Sequence, residues 1–85
     1  MKQFKYIIQD QQGIHARPAG LLVKAAGEFK SKITIGKDGK DADAKRIFGV
    51  MGLGAKKDNE VTITAEGEDE DQAIVALEKF LKENL

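Results

Sequence analysis

The chain has one proline, Pro18, and it stands where an alternating strand pattern gives way to a helical one. Proline is tolerated in the first turn of a helix, where the backbone N–H has no intrahelical partner, and is costly further in. A helix must therefore begin within a residue or two of the only histidine, His15. That placement makes His15 the N-cap. Its imidazole would lie beside the unpartnered N–H groups of Ala16 and Arg17, at the positive end of the helix dipole.

On the N-terminal side, Phe4, Tyr6 and Ile8 alternate with Lys5 and Ile7, as in a strand with one face on a core, and Asp10-Gln11-Gln12-Gly13 turns the chain. From Ala16 to about Phe29, the positions Ala19, Leu22, Val23, Ala26 and Phe29 make one apolar helical stripe. A second face carries Arg17, Gly20, Lys24 and Gly27 at i, i+3, i+7 and i+10. Glycine inside a helix costs about 1 kcal/mol relative to alanine, so Gly20 asks for a reason. Either another protein approaches closely there, or the glycine is simply tolerated.

Lys32-Ile33-Thr34-Ile35 reads as a second strand, and Asp38-Gly39 as a tight hairpin into Lys40–Ala44, where small Ala42 and Ala44 suit an edge strand. Ile47–Gly54 follows as a short helix closed at Gly54. It holds more apolar residues than two turns can bury. Val50 and Leu53 can face inward, leaving part of Ile47, Phe48 and Met51 exposed as a docking patch, unless the whole segment is buried. After a turn at Lys56–Asn59, Val61, Ile63 and Ala65 alternate in a fourth strand ending at Gly67. Asp69-x-x-Gln72 reads as a capping box for a last helix with the stripe Ala73, Ile74, Leu77, Phe80 and Leu81. The acids from Glu66 to Asp71 then serve the helix dipole and need no ligand.

The order is βαββαβα. Strands that alternate and helices with one apolar stripe pack most economically as an α+β, open-faced two-layer sandwich, with three helices on one face of an antiparallel or mixed four-stranded sheet. A ferredoxin-like split βαβ arrangement is the competing strand order. At 85 residues the chain is expected to form one domain over 1–85.

Charge and composition narrow the function. Lysine and arginine total 14 and aspartate and glutamate 14, so no general attraction to nucleic acid or an anionic membrane is expected. With no cysteine and one histidine, neither a metal site nor thiolate catalysis is expected, and nothing calls for a cofactor. Met1–Lys5 alternates instead of opening an apolar leader, and no apolar run approaches a membrane span, so a cytoplasmic location is expected.

A helix N-terminus is a ready anion site, and neutral imidazole is a nucleophile, so His15 at that position points to phosphate chemistry. A phosphoryl group on His15 would meet the N–H groups of Ala16 and Arg17 and the Arg17 guanidinium. Helix-end interactions of about 0.3–1 kcal/mol, up to about 2, would hold it without trapping it. The sequence has no phosphate-binding glycine loop, no paired acids at a metal spacing around His15 and no serine or cysteine set against it. Partners would have to supply most of the catalysis.

Gly13-Ile14-His15-Ala16-Arg17-Pro18-Ala19, then Ile47-Phe48-Gly49-Val50-Met51-Gly52-Leu53-Gly54 and Glu66-Gly67-Glu68-Asp69-Glu70, resemble the HPr family of histidine-containing phosphocarriers of the bacterial phosphotransferase system over essentially the full length. The resemblance implies a four-stranded antiparallel sheet with three helices. It implies that His15 accepts a phosphoryl group on Nδ1 from phosphorylated enzyme I, which draws it from phosphoenolpyruvate, and passes it to sugar-specific enzyme IIA domains. Arg17 matches the family's phosphate-assisting arginine. Gly20, Lys24, Gly27, Ile47, Phe48 and Met51 match the surface those partners use, and Arg46 adjoins it. Such a protein is a carrier, not an enzyme, and is expected to be monomeric.

Many relatives carry a serine just before the Ile47-Phe48 segment that a dedicated kinase phosphorylates; here the residue is Arg46 and the only serine is Ser31. That modification is expected to be absent. Arg46 is also the wrong sign for a helix start, which asks for a compensating contact or plain tolerance. Two other functions remain open at this point. One is a regulatory module docking proteins through Ile47, Phe48 and Met51 irrespective of phosphate. The other, a ligand- or RNA-binding domain, is disfavoured by low aromatic content and the lack of a basic stripe.

Overall fold

The computed structural model describes residues 1–85. Its elements are β1 (Lys2–Ile7), α1 (Ala16–Gly27), β2 (Lys32–Lys37), β3 (Lys40–Asp43), α2 (Ile47–Gly52), β4 (Glu60–Glu66) and α3 (Glu70–Asn84). All pairings are antiparallel, in the order β1-β4-β2-β3. The ferredoxin-like order is thereby excluded, since β1 pairs with β4 alone and no parallel pair exists. The expected edge position of β3 holds.

Register follows from which side chains can be buried together. One row across the sheet runs Phe4, Ile63, Ile35, Ala42, and the next row, on the opposite face, runs Gln3, Thr64, Thr34, Asp43. A slip of one residue would move every apolar side chain in the first row to the outer face, so the alternation itself pins the pairing. Helix α3 packs on β1 and β4, α2 touches β3, and α1 lies against both other helices. Between the layers sit Leu22, Ile33, Ile35, Val50, Ile63, Leu77 and Leu81, all essentially inaccessible. Each such side chain contributes about 1.5–3 kcal/mol by leaving water.

The β2–β3 hairpin turns on Asp38 (φ 52°) and Gly39 (φ 82°), the pair of positive angles that a two-residue hairpin needs. The elements otherwise differ from the sequence expectation at their ends. β2 runs on to Lys37, α1 stops at Gly27, and α2 stops at Gly52 with Gly54 in the left-handed conformation just beyond it.

The start of α3 is where local sequence misleads. No Asp69–Gln72 capping box forms; Asp69 makes no side-chain bond to its own helix. Its carboxylate reaches across the fold instead. Oδ2 accepts the Lys30 N–H at 2.8 Å, and Oδ1 accepts the Ser31 N–H at 2.9 Å and the Ser31 hydroxyl. These bonds, the hydroxyl foremost, hold the Asp69 carboxyl below its ordinary value of 3.8. Glu70, the first residue of the helix, reaches back instead: its Oε1 accepts the Gly67 N–H at 3.1 Å and its Oε2 lies 2.9 Å from the Met1 amine. The amine chiefly, and the Gly67 N–H next, lower the Glu70 carboxyl. The acidic run thus ties α3 to both the start of β2 and the start of β1.

Candidate functional site

Gly13 sets the geometry of the site. Its φ is +67°, and a Cβ there would strike the Ala55 carbonyl oxygen and come within 2.7 Å of Lys56 Cα, so a glycine is required by both the angle and the space. Ile14 follows with only 7% of its surface exposed, and its N–H donates to Ala55 O at 3.0 Å. Anchored by that buried side chain and that bond, the chain enters α1 at His15. The His15 N–H donates to Gly13 O at 3.1 Å and its carbonyl accepts the Ala19 N–H at 3.0 Å.

His15 is the N-cap, with extended backbone and no side-chain bond to the helix. The imidazole is therefore not consumed by capping. The N–H groups of Ala16 and Arg17 have no partner in the chain, and Pro18 has none to offer. Two adjacent donors thus point out of the helix end beside a ring whose exposure is 36%. The Arg17 side chain takes part in no ion pair. A shallow cleft of about 220 Å³ opens here, lined by Asp10, His15, Arg17, Pro18, Leu21, Glu83 and Asn84. The cleft thus gathers an imidazole, two unpartnered backbone donors and the Arg17 side chain. No group of three acidic, histidine or cysteine side chains converges as a metal site.

The acids of this cleft were not foreseen. Asp10 Oδ2 lies 3.9 Å from His15 Nε2. Its other oxygen accepts the Gln12 N–H at 2.8 Å, closing a turn that the Asp-x-Gln-Gly stretch could have signalled. Glu83 and Asn84 had no local signal. They reach the cleft because the end of α3 returns to the β1–α1 loop, where Gln9 and Asp10 donate their N–H groups to Leu85 O at 2.5 and 2.8 Å.

Around the cleft, α1 and α2 form one surface. Gly20 faces Ile47, with Ile47 Cδ1 3.8 Å from the position its Cβ would take, an ordinary contact distance. Nothing inside the fold therefore requires glycine at that position. Lys24 and Gly27 lie exposed further along α1, and Gly27 borders open space. In α2, Val50 is inaccessible while Phe48 is 88% and Met51 39% exposed, with Ile47 half-buried, so the segment is not wholly buried. Arg46 is the N-cap of α2, and its Nε lies 3.8 Å from Asp43 Oδ2. The compensating contact for its unfavourable sign is thus internal. Asp43 also accepts the Lys45 N–H at 2.9 Å, which holds its carboxylate at the helix start.

Comparison with known proteins agrees with this geometry. The family model described as PTS HPr component phosphorylation site matches residues 2–83. The phosphocarrier protein HPr of Mycoplasma capricolum subsp. capricolum is 46% identical over 81 residues, covering 95% of this chain and 91% of that protein. That of Mycoplasma genitalium is 39% identical over 85 residues, covering 99% and 97%. Among solved structures, a mycoplasma histidine-containing phosphocarrier protein superposes with a TM-score of 0.94 at 43% identity, over 96% of this chain and 93% of that one. The full-length match, the shared open-faced sandwich and a histidine capping α1 lead to one conclusion: the chain belongs to the HPr family of phosphocarriers of the phosphotransferase system.

Proposed function

We propose that His15 is the phosphoryl acceptor of this chain. Its Nδ1 takes the phosphoryl group from phosphorylated enzyme I, which is charged by phosphoenolpyruvate, and yields it to sugar-specific enzyme IIA domains for sugar uptake. The observation that carries this reading is the helix end itself, where an uncommitted imidazole stands beside the unpartnered N–H groups of Ala16 and Arg17. The Arg17 guanidinium takes the remaining phosphate charge. The transient phosphohistidine makes the protein a carrier and leaves the catalysis to whichever partner is docked.

Gly20, Lys24, Gly27, Arg46, Ile47, Phe48 and Met51 form the docking surface in this reading. Its support is an apolar side chain as exposed as Phe48, one residue along α2 from the Ile47 that packs over Gly20, on a surface where Lys24 and Arg46 are also exposed. With Arg46 in place of serine, the chain is not a substrate for the serine kinase that acts on many relatives. No helix is long and apolar enough to cross a membrane. The protein is taken to work in the cytoplasm, as one domain and as a monomer. Self-association is the second reading for the last point, because the HPr of Thermoanaerobacter tengcongensis, 43% identical, is described as a dimer.

Incubation with enzyme I and phosphoenolpyruvate tests the proposal. An acid-labile, base-stable phosphate is expected on the native chain and none on His15→Ala. Equal labelling of the two proteins would overturn it. Sedimentation at micromolar concentration should give a single species of monomer mass.

A further inference from the structure

Asp10 enters the cleft beside His15 with one carboxylate oxygen committed and one open. Three bonds fix the residue in the β1–α1 loop: its N–H donates to Leu85 O at 2.8 Å, its carbonyl accepts the Gly13 N–H at 2.9 Å, and Oδ1 accepts the Gln12 N–H at 2.8 Å. The remaining oxygen, Oδ2, faces His15 Nε2 at 3.9 Å, the distance of an ion pair and beyond a direct hydrogen bond. An ionised carboxylate can only accept, so it favours a ring nitrogen that carries hydrogen over one that presents a lone pair. Neutral imidazole has one N–H, and placing it on Nε2 leaves the lone pair on Nδ1.

We propose that Asp10 is a positioning residue for phosphoryl transfer, its Oδ2 holding the proton of neutral His15 on Nε2 and thereby making Nδ1 the nucleophile. The inference rests on the phosphocarrier reading above. In the forward step the Nδ1 lone pair forms the N–P bond while the donor's bond to phosphorus breaks, the donor leaving with that electron pair. Nε2 keeps its proton, so the ring becomes a cation that faces Asp10. In onward transfer the Nδ1–P bond breaks, the pair returns to Nδ1, and the neutral Nε2–H ring is restored. No proton has to enter or leave at His15 in either direction. Among the charged groups lining the cleft, Glu83 adds to the negative potential and Arg17 opposes it. Arg17 has no ion-pair contact with Asp10, so it remains available to the phosphoryl group.

Unit charges about 4 Å apart in water change an equilibrium by roughly fivefold, which sets the ceiling for an exposed pair. Asp10→Asn removes the charge but keeps an oxygen that can accept the Gln12 N–H, so the turn survives. Asp10→Ser keeps a turn-forming hydroxyl in the same place. The test uses the full chain labelled with ¹⁵N, at a pH where the ring is neutral. Long-range ¹H–¹⁵N correlation reads the Nε2–H to Nδ1–H ratio of His15, and the rate of phosphorylation by enzyme I is measured in parallel. The native protein should be predominantly Nε2–H, and both variants should lower that ratio and the rate by about two- to fivefold with the Gln12 amide shift retained. A native ring that is predominantly Nδ1–H, or variants with unchanged ratio, would overturn the role of Asp10. Failure of the native protein itself to accept phosphate on His15 would instead overturn the phosphocarrier reading, which keeps the two failures distinct.

Discussion

Replacing Gly13 by alanine is the sharpest probe of how this fold presents its histidine. Two costs add. An L-residue held at φ +67° loses about 1–2 kcal/mol relative to glycine. The new Cβ would also meet backbone at Ala55 and Lys56, which cannot swing aside as a flexible side chain can. Relief requires moving the Ala55 carbonyl away from the Ile14 N–H it now accepts at 3.0 Å, a loss of about 0.5–1.5 kcal/mol. Part is returned because alanine restricts the unfolded chain, by about 0.4–1 kcal/mol. The net destabilisation is about 1–3 kcal/mol, or a fall in Tm of several degrees to roughly 20 °C for a domain of this size. Gly39→Ala is the control, since Gly39 also has positive φ (82°) but nothing lies within 4 Å of its added Cβ. It carries only the backbone cost. Urea denaturation followed by circular dichroism should rank Gly13→Ala at least about 0.5 kcal/mol below Gly39→Ala. Only Gly13→Ala should also slow phosphorylation, because His15 hangs from that turn through its bond to Gly13 O. Equal stability losses, or equal phosphorylation rates for native and Gly13→Ala proteins, would refute the reasoning.

Other outcomes follow from the same geometry. Arg17→Ala should leave the fold intact and slow phosphoryl transfer by about tenfold or more, the worth of a charged hydrogen bond of about 1.5–3 kcal/mol; unchanged rates would remove Arg17 from the site. Phe48→Ala should alter stability by less than about 0.5 kcal/mol, because that ring is 88% exposed, yet weaken enzyme I binding by an order of magnitude or more in titration calorimetry. Asp69 tests the acid response. Its carboxyl is held below 3.8 in the folded chain, so its contribution is present above that value and is lost as pH falls below it. Asp69→Asn should therefore lower Tm at pH 7 and flatten the decline in Tm below about pH 4. A variant with the native slope there would place the acid sensitivity elsewhere. Incubation with the family's serine kinase and ATP should yield no phosphoserine.

Periodicity was a sound guide where one face of an element meets the core. The row Phe4–Ile63–Ile35–Ala42 and the α3 stripe bury Ile35, Ile63, Ala73, Leu77 and Leu81 and half-bury Phe4, Ala42, Ile74 and Phe80, all side chains that the spacing singles out. Pro18 located the start of α1, and with it His15 as N-cap, because a covalent restriction on the backbone leaves few options. The partial exposure of α2 was legible for a similar reason, since two turns cannot hide five large apolar residues. Failures occurred where a polar side chain chose between a local and a distant partner. Asp69 has the spacing of a cap but satisfies Lys30 and Ser31, 39 and 38 residues away, while Glu70 binds back to the Gly67 N–H. No local pattern carries that information, because it depends on how α3 lands on β2. Glu83 joined the site in the same way, whereas the turn that holds Asp10 there has a local signature. The loop turn fixed one and the return of α3 delivered the other.

Intact-mass analysis of the purified chain after exposure to enzyme I and phosphoenolpyruvate tests the central claim most directly. The native protein should gain one phosphoryl group, lose it in mild acid and keep it in base, and His15→Ala should gain none. A native mass that does not change, or an acid-stable adduct, would contradict His15 as a phosphoryl relay.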